Sequence, residues 1–356
     1  MAEISKFERS FIKFQFSGKS RLRLYRKIIR LLQNGVALPA ALESMYAHAS
    51  FDGKKPRKPE AMVIDAWLRQ VRNGKPLGFA IQGWVPESDR VVIEAGEQSG
   101  DLPSAVENAC FLYEGQKKIR AAVIAGIAYP TFLFVMVIAF LVLFGLNVIP
   151  KFALVLPREQ WTGLGEQMAM LSDFVAVGLF PALGALAGLV LLVILSMPRW
   201  TGRLRVRFDQ YPPYSIYKLI AGSGFLLSLA ALTKAGVKQT NALRTMMRDS
   251  KPWYHERLSK TLAIVNNGND IGEALHRTNL RFPDPETIND LRTYARLTGF
   301  DEMLMKIGRE NLEDTVVRIQ QQGTLMRNAG IIAMGATLAW LFLGIFSLQQ
   351  QITSNL

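Results

Sequence analysis

AAVIAGIAYPTFLFVMVIAFLVLFGLNVIP, residues 121–150, contains no charged side chain. A bilayer core about 30 Å thick takes about 20 apolar residues as a helix, so this stretch is long enough to cross one. Residues 174–198 and 328–356 are uncharged in the same way. Three membrane spans are therefore predicted, at 121–149, 174–197 and 328–348. The rest of the chain falls around them. Residues 1–19 form an amphipathic N-terminal segment and 20–120 a first helical bundle. Residues 150–173 make a short loop, 198–213 a basic connector, 214–327 a second bundle and 349–356 a tail.

Charge orients these pieces. Residues 1–120 carry 20 Lys+Arg and 13 Asp+Glu, and residues 199–327 carry the same numbers, so each is net +7 of a chain total of +13. The 151–173 segment is net −1. Lys117, Lys118 and Arg120 precede the first span, Arg199, Arg203, Arg205 and Arg207 follow the second, and Arg318 and Arg327 precede the third. Basic residues near span ends stay on the cytoplasmic side. The expected topology has the N-terminus and both bundles in the cytoplasm, and the 150–173 loop and C-terminal tail in the periplasm. The basic excess reads as topology and attraction to anionic lipid, not as a nucleic-acid face. The N-terminus lacks the apolar core of a signal peptide, so the first span is expected to direct insertion.

The soluble parts repeat. LLQNGVALPAAL (31–42) aligns with LTKAGVKQTNAL (232–243), VRNGKPLGFAI (71–81) with VNNGNDIGEAL (265–275), and QSGDL (98–102) with LTGFD (297–301). Apolar residues recur at helical spacing, as at Leu24, Ile28, Leu31 and Leu32. Glycine or Pro-Asp-Pro breaks separate the helical patterns, and strand-like alternation is missing. The fold class is all-α: a polytopic membrane protein with three transmembrane helices and two homologous cytoplasmic bundles of about six helices each. In the N-terminal segment Phe7, Phe11 and Phe14 recur among basic residues. That pattern suits a membrane surface, a partner, or packing on the bundle itself.

Catalytic signals are missing. His48, His255 and His276 have no metal-ligand spacing around them, and there is no P-loop, GxSxG, HExxH or CxxC. One cysteine, Cys110, excludes an intrachain disulfide. The spans hold no acid or base, which argues against a transporter or channel subunit, and Asp173 stands alone where an intramembrane peptidase needs paired aspartates. A membrane adaptor of unrelated kind remains as an alternative. Gly184 and Gly188 in ALGALAGLV make a small-residue face suited to close helix packing. The polar cluster is IEAGEQSGD, 93–101. Glu94, Glu97 and Asp101 admit three readings: helix-end chemistry at Gly100 and Asp101, a partner contact through Glu97, or a hard divalent metal.

GKPLGFAI (74–81), IEAGEQSGDLPSAV (93–106) and IRAAVIAGIAYPTFLF (119–134), closing in VIP (148–150), resemble the F-type platform proteins of type II secretion systems and type IV pili. The family's Gly-Glu-x-x-Gly-x-Leu motif falls on Gly96, Glu97, Gly100 and Leu102, and its Tyr-Pro on Tyr129 and Pro130. The second copy departs from it, with Ala295 and Arg296 in place of Gly-Glu. In compactness and divergence the chain is more similar to the pilus branch than to the secretion branch. The resemblance implies a nonenzymatic scaffold in the bacterial inner membrane, without a cofactor, that couples a hexameric assembly ATPase to pilin subunits. Its other expected partners are cytoplasmic and inner-membrane alignment proteins, the lipid bilayer and further copies of itself in a homo-oligomer; nucleic acid is not among them.

Overall fold

The computed structural model describes residues 12, 15–248, 250–295 and 299–355. Phe7, Phe11, Phe14 and Arg296 lie outside the described residues. Among the described residues the regular structure is helical, with no strand. The first repeat holds α1 (Gly18–Gln33), α2 (Leu38–Ser50), α3 (Pro59–Arg72), α4 (Leu77–Ala80), α5 (Glu87–Gln98) and the start of α6 (Leu102–Leu143). After α6 come α7 (Ile149–Phe152), α8 (Leu164–Asp173) and α9 (Leu179–Ser196), then the connector helix α10 (Arg203–Phe208). The second repeat holds α11 (Tyr214–Lys234), α12 (Gln239–Met247), α13 (Pro252–Asn266), α14 (Ile271–Arg277), α15 (Pro285–Tyr294) and the start of α16 (Phe300–Asn355).

The two repeats fold alike because their punctuation is alike. Gly35 ends α1 at φ 77° and Gly236 ends α11 at φ 86°, a left-handed conformation that costs glycine little. In each, the next residue closes the same bond: Val36 N donates to Leu31 O at 3.0 Å and Val237 N to Leu232 O at 2.9 Å. Gly74 and Gly268, and Gly100 and Gly299, form two further left-handed pairs at matching positions.

The chain divides into two compact units, Met1–Ile119 with Arg199–Thr315, and Arg120–Pro198 with Val316–Leu356. The first unit contains both repeats. Tyr25, Ile28, Leu42, Ile64, Trp67 and Ile81 are fully buried in the first repeat. In the second, Phe282 packs edge-on against Trp253 and Tyr254 and tilted against Phe225, with ring centroids 5.4–5.8 Å apart. Each such side chain contributes about 1.5–3 kcal/mol by burial. Polar ties add direction. Tyr25 OH donates to buried Asp89 Oδ2 at 3.2 Å, and Arg21 Nε lies 3.0 Å from the same oxygen, joining α1 to α5. Burial raises the Asp89 carboxyl above its usual range, and Arg21 opposes that shift.

Four segments, Leu102–Phe152, Leu164–Ser196, Tyr214–Lys234 and Phe300–Ser354, are long and apolar enough to cross a membrane by length and composition, one more than the uncharged stretches predict. The extra one is α11. Its mean hydropathy is 1.5 against 2.9, 2.5 and 2.1 for the others, and half of its apolar window is buried within the protein against 17%, 6% and 17%. Phe225, Leu226, Leu229, Ala230 and Leu232 of α11 are core residues of the second repeat. Hydropathy alone does not separate a core helix from a span; burial does.

In the second unit the helices outrun the uncharged stretches. Charge at Glu166 and Asp173 ends an apolar run without ending helix geometry, so the second apolar helix already begins at Leu164. Two five-residue π-turns, Phe144–Val148 and Phe174–Gly178, interrupt the first two apolar helices. A π-turn disturbs the regular carbonyl ladder, and here Ser172 Oγ donates to Gly145 O at 2.8 Å. The 150–173 loop is a folded cap: Trp161 Nε1 donates to Leu156 O at 3.0 Å, and Thr162 and Gln351 exchange two bonds of 3.0 and 3.1 Å. α6 and α16 approach closely at Gly126 and Gly323, where a Cβ on Gly323 would stand 2.7 Å from Gly126 Cα. Gly184 and Gly188, the pair that the sequence singles out for packing, have nothing within 4 Å of a Cβ position. Gly323→Ala is expected to destabilise the detergent-solubilised protein by about 1–3 kcal/mol through overpacking, while Gly184→Ala is neutral or stabilising. Thermal unfolding of the two variants in one detergent checks this; equal melting temperatures would contradict the Gly126–Gly323 contact.

Candidate functional site

The site is the corner where α4, α5 and α6 of the first repeat meet, together with the face it turns toward the second repeat. It begins with a problem of helix ends. α4 has only four residues, so its first N–H groups have no partners of their own. Its N-cap is Pro76, which has no side-chain acceptor. Glu97 on α5 supplies one: its Oε1 accepts from Leu77 N at 2.7 Å and its Oε2 from Gly78 N at 3.0 Å. Both carboxylate oxygens are thus committed to backbone.

The neighbouring motif residues let that carboxylate reach. A Cβ on Gly78 would stand 2.6 Å from Glu94 Cβ, so the glycine allows α4 to lie against α5. A Cβ on Gly96 would stand 2.0 Å from Ala105 Cβ, so the glycine allows α5 to lie against α6. Gly100, at φ 81°, turns the chain between them. Asp101 Oδ1 then accepts from Ser104 N at 3.2 Å at the start of α6. Leu102 packs against the first-repeat core.

Glu94 does not join this arrangement. It pairs with Arg90, which also meets Glu87 at 2.8 Å. Hydrogen bonding to Arg90 holds the Glu87 carboxyl below its usual range. Glu94, Glu97 and Asp101 therefore serve three separate tasks. Among the described residues no group of three or more His, Cys, Asp or Glu side chains could hold a metal ion.

The second repeat solves the same problem with another residue. Asp270 occupies the position of Pro76 and has the same backbone, φ −66° and ψ 163° against φ −64° and ψ 157°. Its side chain caps α14 locally, accepting from Glu273 N at 2.7 Å. Gly272, the counterpart of Gly78, again permits close approach: a Cβ there would stand 2.4 Å from Arg292 N. With Asp270 in place, the start of α14 has a local acceptor and needs none from a neighbouring helix. The signal was present in the sequence as a pair of exchanges, Pro76 for Asp270 and Glu97 for Arg296, and single-motif reading passes over it.

The outer side of α5 borders a cavity of about 560 Å³ shared with the second repeat. Glu94, Gln98 and Ser99 line one wall, and Lys238, Asn241 and Thr245 the other. Arg248 Nη1 lies 3.3 Å from Glu87 Oε1 and ties the two repeats beside it. Tyr129 and Pro130 belong to the second unit. They line a groove of about 410 Å³ with Gly126, Gln320, Thr324 and Arg327. α6 continues through Pro130.

Glu97→Ala is expected to cost about 1–3 kcal/mol, because two backbone N–H groups lose a charged acceptor. Adding Pro76→Asp should recover a measurable part of that loss by giving α4 the cap that α14 has. Chemical or thermal unfolding of the single and double variants decides; a double variant no more stable than Glu97→Ala would refute the equivalence of the two caps.

The chain matches the family described as Type II secretion system (T2SS), protein F, over residues 24–150 and again over 225–348, once on each repeat. It is also 24% identical, over 96% of its own length and 99% of the relative's, to the toxin coregulated pilus biosynthesis protein E of Vibrio cholerae serotype O1 (strain ATCC 39315 / El Tor Inaba N16961). With both matched segments each carrying a copy of the glycine-punctuated repeat, and together covering most of the sequence, the chain belongs to the type II secretion system protein F family.

Proposed function

We propose that the protein is the inner-membrane platform of a type IV pilus assembly machine, and that it couples a cytoplasmic hexameric ATPase to polymerisation of pilin subunits. The observation that carries this reading is the family match on both repeats, and the full-length similarity to a pilus biosynthesis protein favours the pilus branch. The three spans, 121–149, 174–197 and 328–348, lie along α6, α9 and the second half of α16, with both repeats cytoplasmic and the 150–173 loop and the C-terminus periplasmic. The charge distribution, net +7 on each repeat region, supports that orientation. The spans carry no acid or base with which to do chemistry or move ions, so the role is mechanical.

The cleft between the repeats is the proposed grip for the cytoplasmic partner. It presents Gln98 and Ser99 opposite Lys238 and Asn241, and the two walls are not copies of each other. A motor or alignment protein that binds across it meets both repeats at once, so force applied there reaches both α6 and α16. Residues 1–19, with Phe7, Phe11 and Phe14, provide a second contact for these partners.

The full-length chain is expected to co-purify from solubilised membranes with a hexameric ATPase. Changing Gln98→Arg together with Lys238→Glu should weaken that capture about tenfold without altering the melting temperature. Deleting residues 1–19 should abolish surface pili while leaving the chain in the membrane fraction. Undiminished capture by the cleft variant excludes the cleft as the grip. Normal piliation in a strain that lacks the whole chain excludes the platform reading itself.

A further inference from the structure

Helix α10 is built inside out. In RLRVRF (203–208) and the turn that follows, one arginine and the aspartate point in while large apolar side chains point out. Arg205 and Asp209, one helical turn apart, are 0% and 1% exposed. Leu204, Phe208 and Tyr211 share the adjacent stripe at helical spacing and are 67%, 47% and 64% exposed. Arg203 and Arg207 are exposed on the other side of that stripe.

The inward charges are held firmly. Asp209 pairs with Arg205, and its second oxygen accepts from Arg257 Nη2 at 2.6 Å on α13. The Arg205 guanidinium stacks 4.3 Å over the Tyr214 ring, and that of Arg257 3.7 Å over Trp253. Trp200 closes the group against Phe208 and Tyr214 at 5.2 and 5.6 Å. Gly202 N, just before the helix, donates to Glu256 Oε2 at 3.3 Å. Burying two guanidiniums against one carboxylate is costly in desolvation. A six-residue helix that accepts this cost while exposing leucine and phenylalanine has an orientation imposed on it.

What covers the outward face is indicated by its position and its charge. The segment follows the end of the apolar helix α9 at Ser196 within seven residues. Its outward charges, Arg199, Arg203 and Arg207, are all positive, because the one acid between residues 198 and 213, Asp209, is buried. Aromatic and basic residues beside a span end are the composition of a lipid headgroup layer. We propose that residues 199–211 are a membrane-surface foot: Leu204, Phe208 and Tyr211 enter the headgroup region of an anionic leaflet, Arg203 and Arg207 pair with its phosphates, and the Arg205–Asp209–Arg257 group fixes the orientation. The foot rests on the reading of α9 as a membrane span.

Site-specific labelling of the full-length protein in nanodiscs tests it. Burial pushes the Cys110 thiol up to about 12, so an engineered surface cysteine takes the label at neutral pH. An environment-sensitive fluorophore is placed at Leu204→Cys or Phe208→Cys, at Leu191→Cys within α9 and at Lys238→Cys in the cleft. In nanodiscs containing phosphatidylglycerol, the labels at 204 and 208 should be quenched about twofold or more by a lipid with a nitroxide near its headgroup and shielded from aqueous iodide. The label at 238 should show the opposite. Adding Arg203→Glu with Arg207→Glu should reduce the lipid quenching at 208 in anionic nanodiscs and leave it unchanged in zwitterionic ones. Iodide quenching at 204 and 208 with lipid quenching at 191 overturns the foot and leaves the span standing. Shielding at 204 and 208 from both quenchers overturns it in favour of a protein cover. Lack of lipid quenching at 191 overturns the span, and the foot with it. Indifference to the arginine reversal overturns the phosphate pairing.

Discussion

A four-residue helix cannot hold its own beginning, and the first repeat is arranged around that fact. α4 exists because the Glu97 carboxylate takes the N–H groups of Leu77 and Gly78. For the carboxylate to reach them, α5 must lie against α4, which the missing side chain of Gly78 permits. For α5 to sit there while the chain turns into α6, Gly96 must touch Ala105 and Gly100 must adopt a left-handed turn. The motif is thus one constraint expressed at several positions. A charged acceptor for backbone N–H groups is stronger than a neutral one, and the backbone donors would otherwise be stranded at partly buried depth. The start of the long helix α6 follows from this corner.

The second repeat keeps the geometry and changes the chemistry. Asp270 adopts nearly the same backbone conformation as Pro76 and caps from within the loop. Freed from that task, the surface around α15 carries other residues: Glu273 meets Arg277 at 2.7 Å and Arg292 at 3.1 Å. The repeats therefore agree in their turns and core and differ in what they offer outward. A duplicated module that serves two non-identical contacts has this form, because the fold depends on caps and glycines while the outer faces are free to diverge.

The helical class, the repeat and the apolar stretches were legible because they rest on local signals: missing charge, 3.6-residue periodicity and glycine at helix ends. The left-handed turns at Gly35 and Gly236 were visible in the alignment and occur at matched φ. Other features depended on distant partners and were not. In sequence Glu97 admits a helix end, a partner contact or a metal; only the fold brings it to the backbone of a residue twenty positions earlier. α11 has the hydropathy of a weak span, and only its burial in the second repeat identifies it as core. Gly184 and Gly188 have the better packing pattern, yet the close crossing is Gly126 against Gly323, whose partners lie almost two hundred residues apart. Helices run on past the expected spans 174–197 and 328–348, back to Leu164 and forward to Asn355, because backbone hydrogen bonding and not hydropathy marks the limit of a helix.

The connector shows why composition alone does not tell which side chains are buried. Four arginines and several aromatics between residues 199 and 211 look uniformly surface-bound in sequence. Folded, Arg205 is among the most buried side chains of the chain, while Leu204 beside it is two-thirds exposed. Burial pulls Arg257, the second guanidinium of the group, down to about 10, which still leaves it charged at neutral pH. Asp209 thus faces two cations, with aromatic faces supplying the remaining compensation. Removing Asp209 would leave two buried guanidiniums without their shared anion, a loss larger than that of an exposed ion pair. Such a group contributes little net stability for its cost in desolvation, but it admits a single orientation of the helix. Where the chain passes from an apolar helix into the second repeat, holding the connector in one orientation is a use that justifies buried charge where an apolar core would have been cheaper.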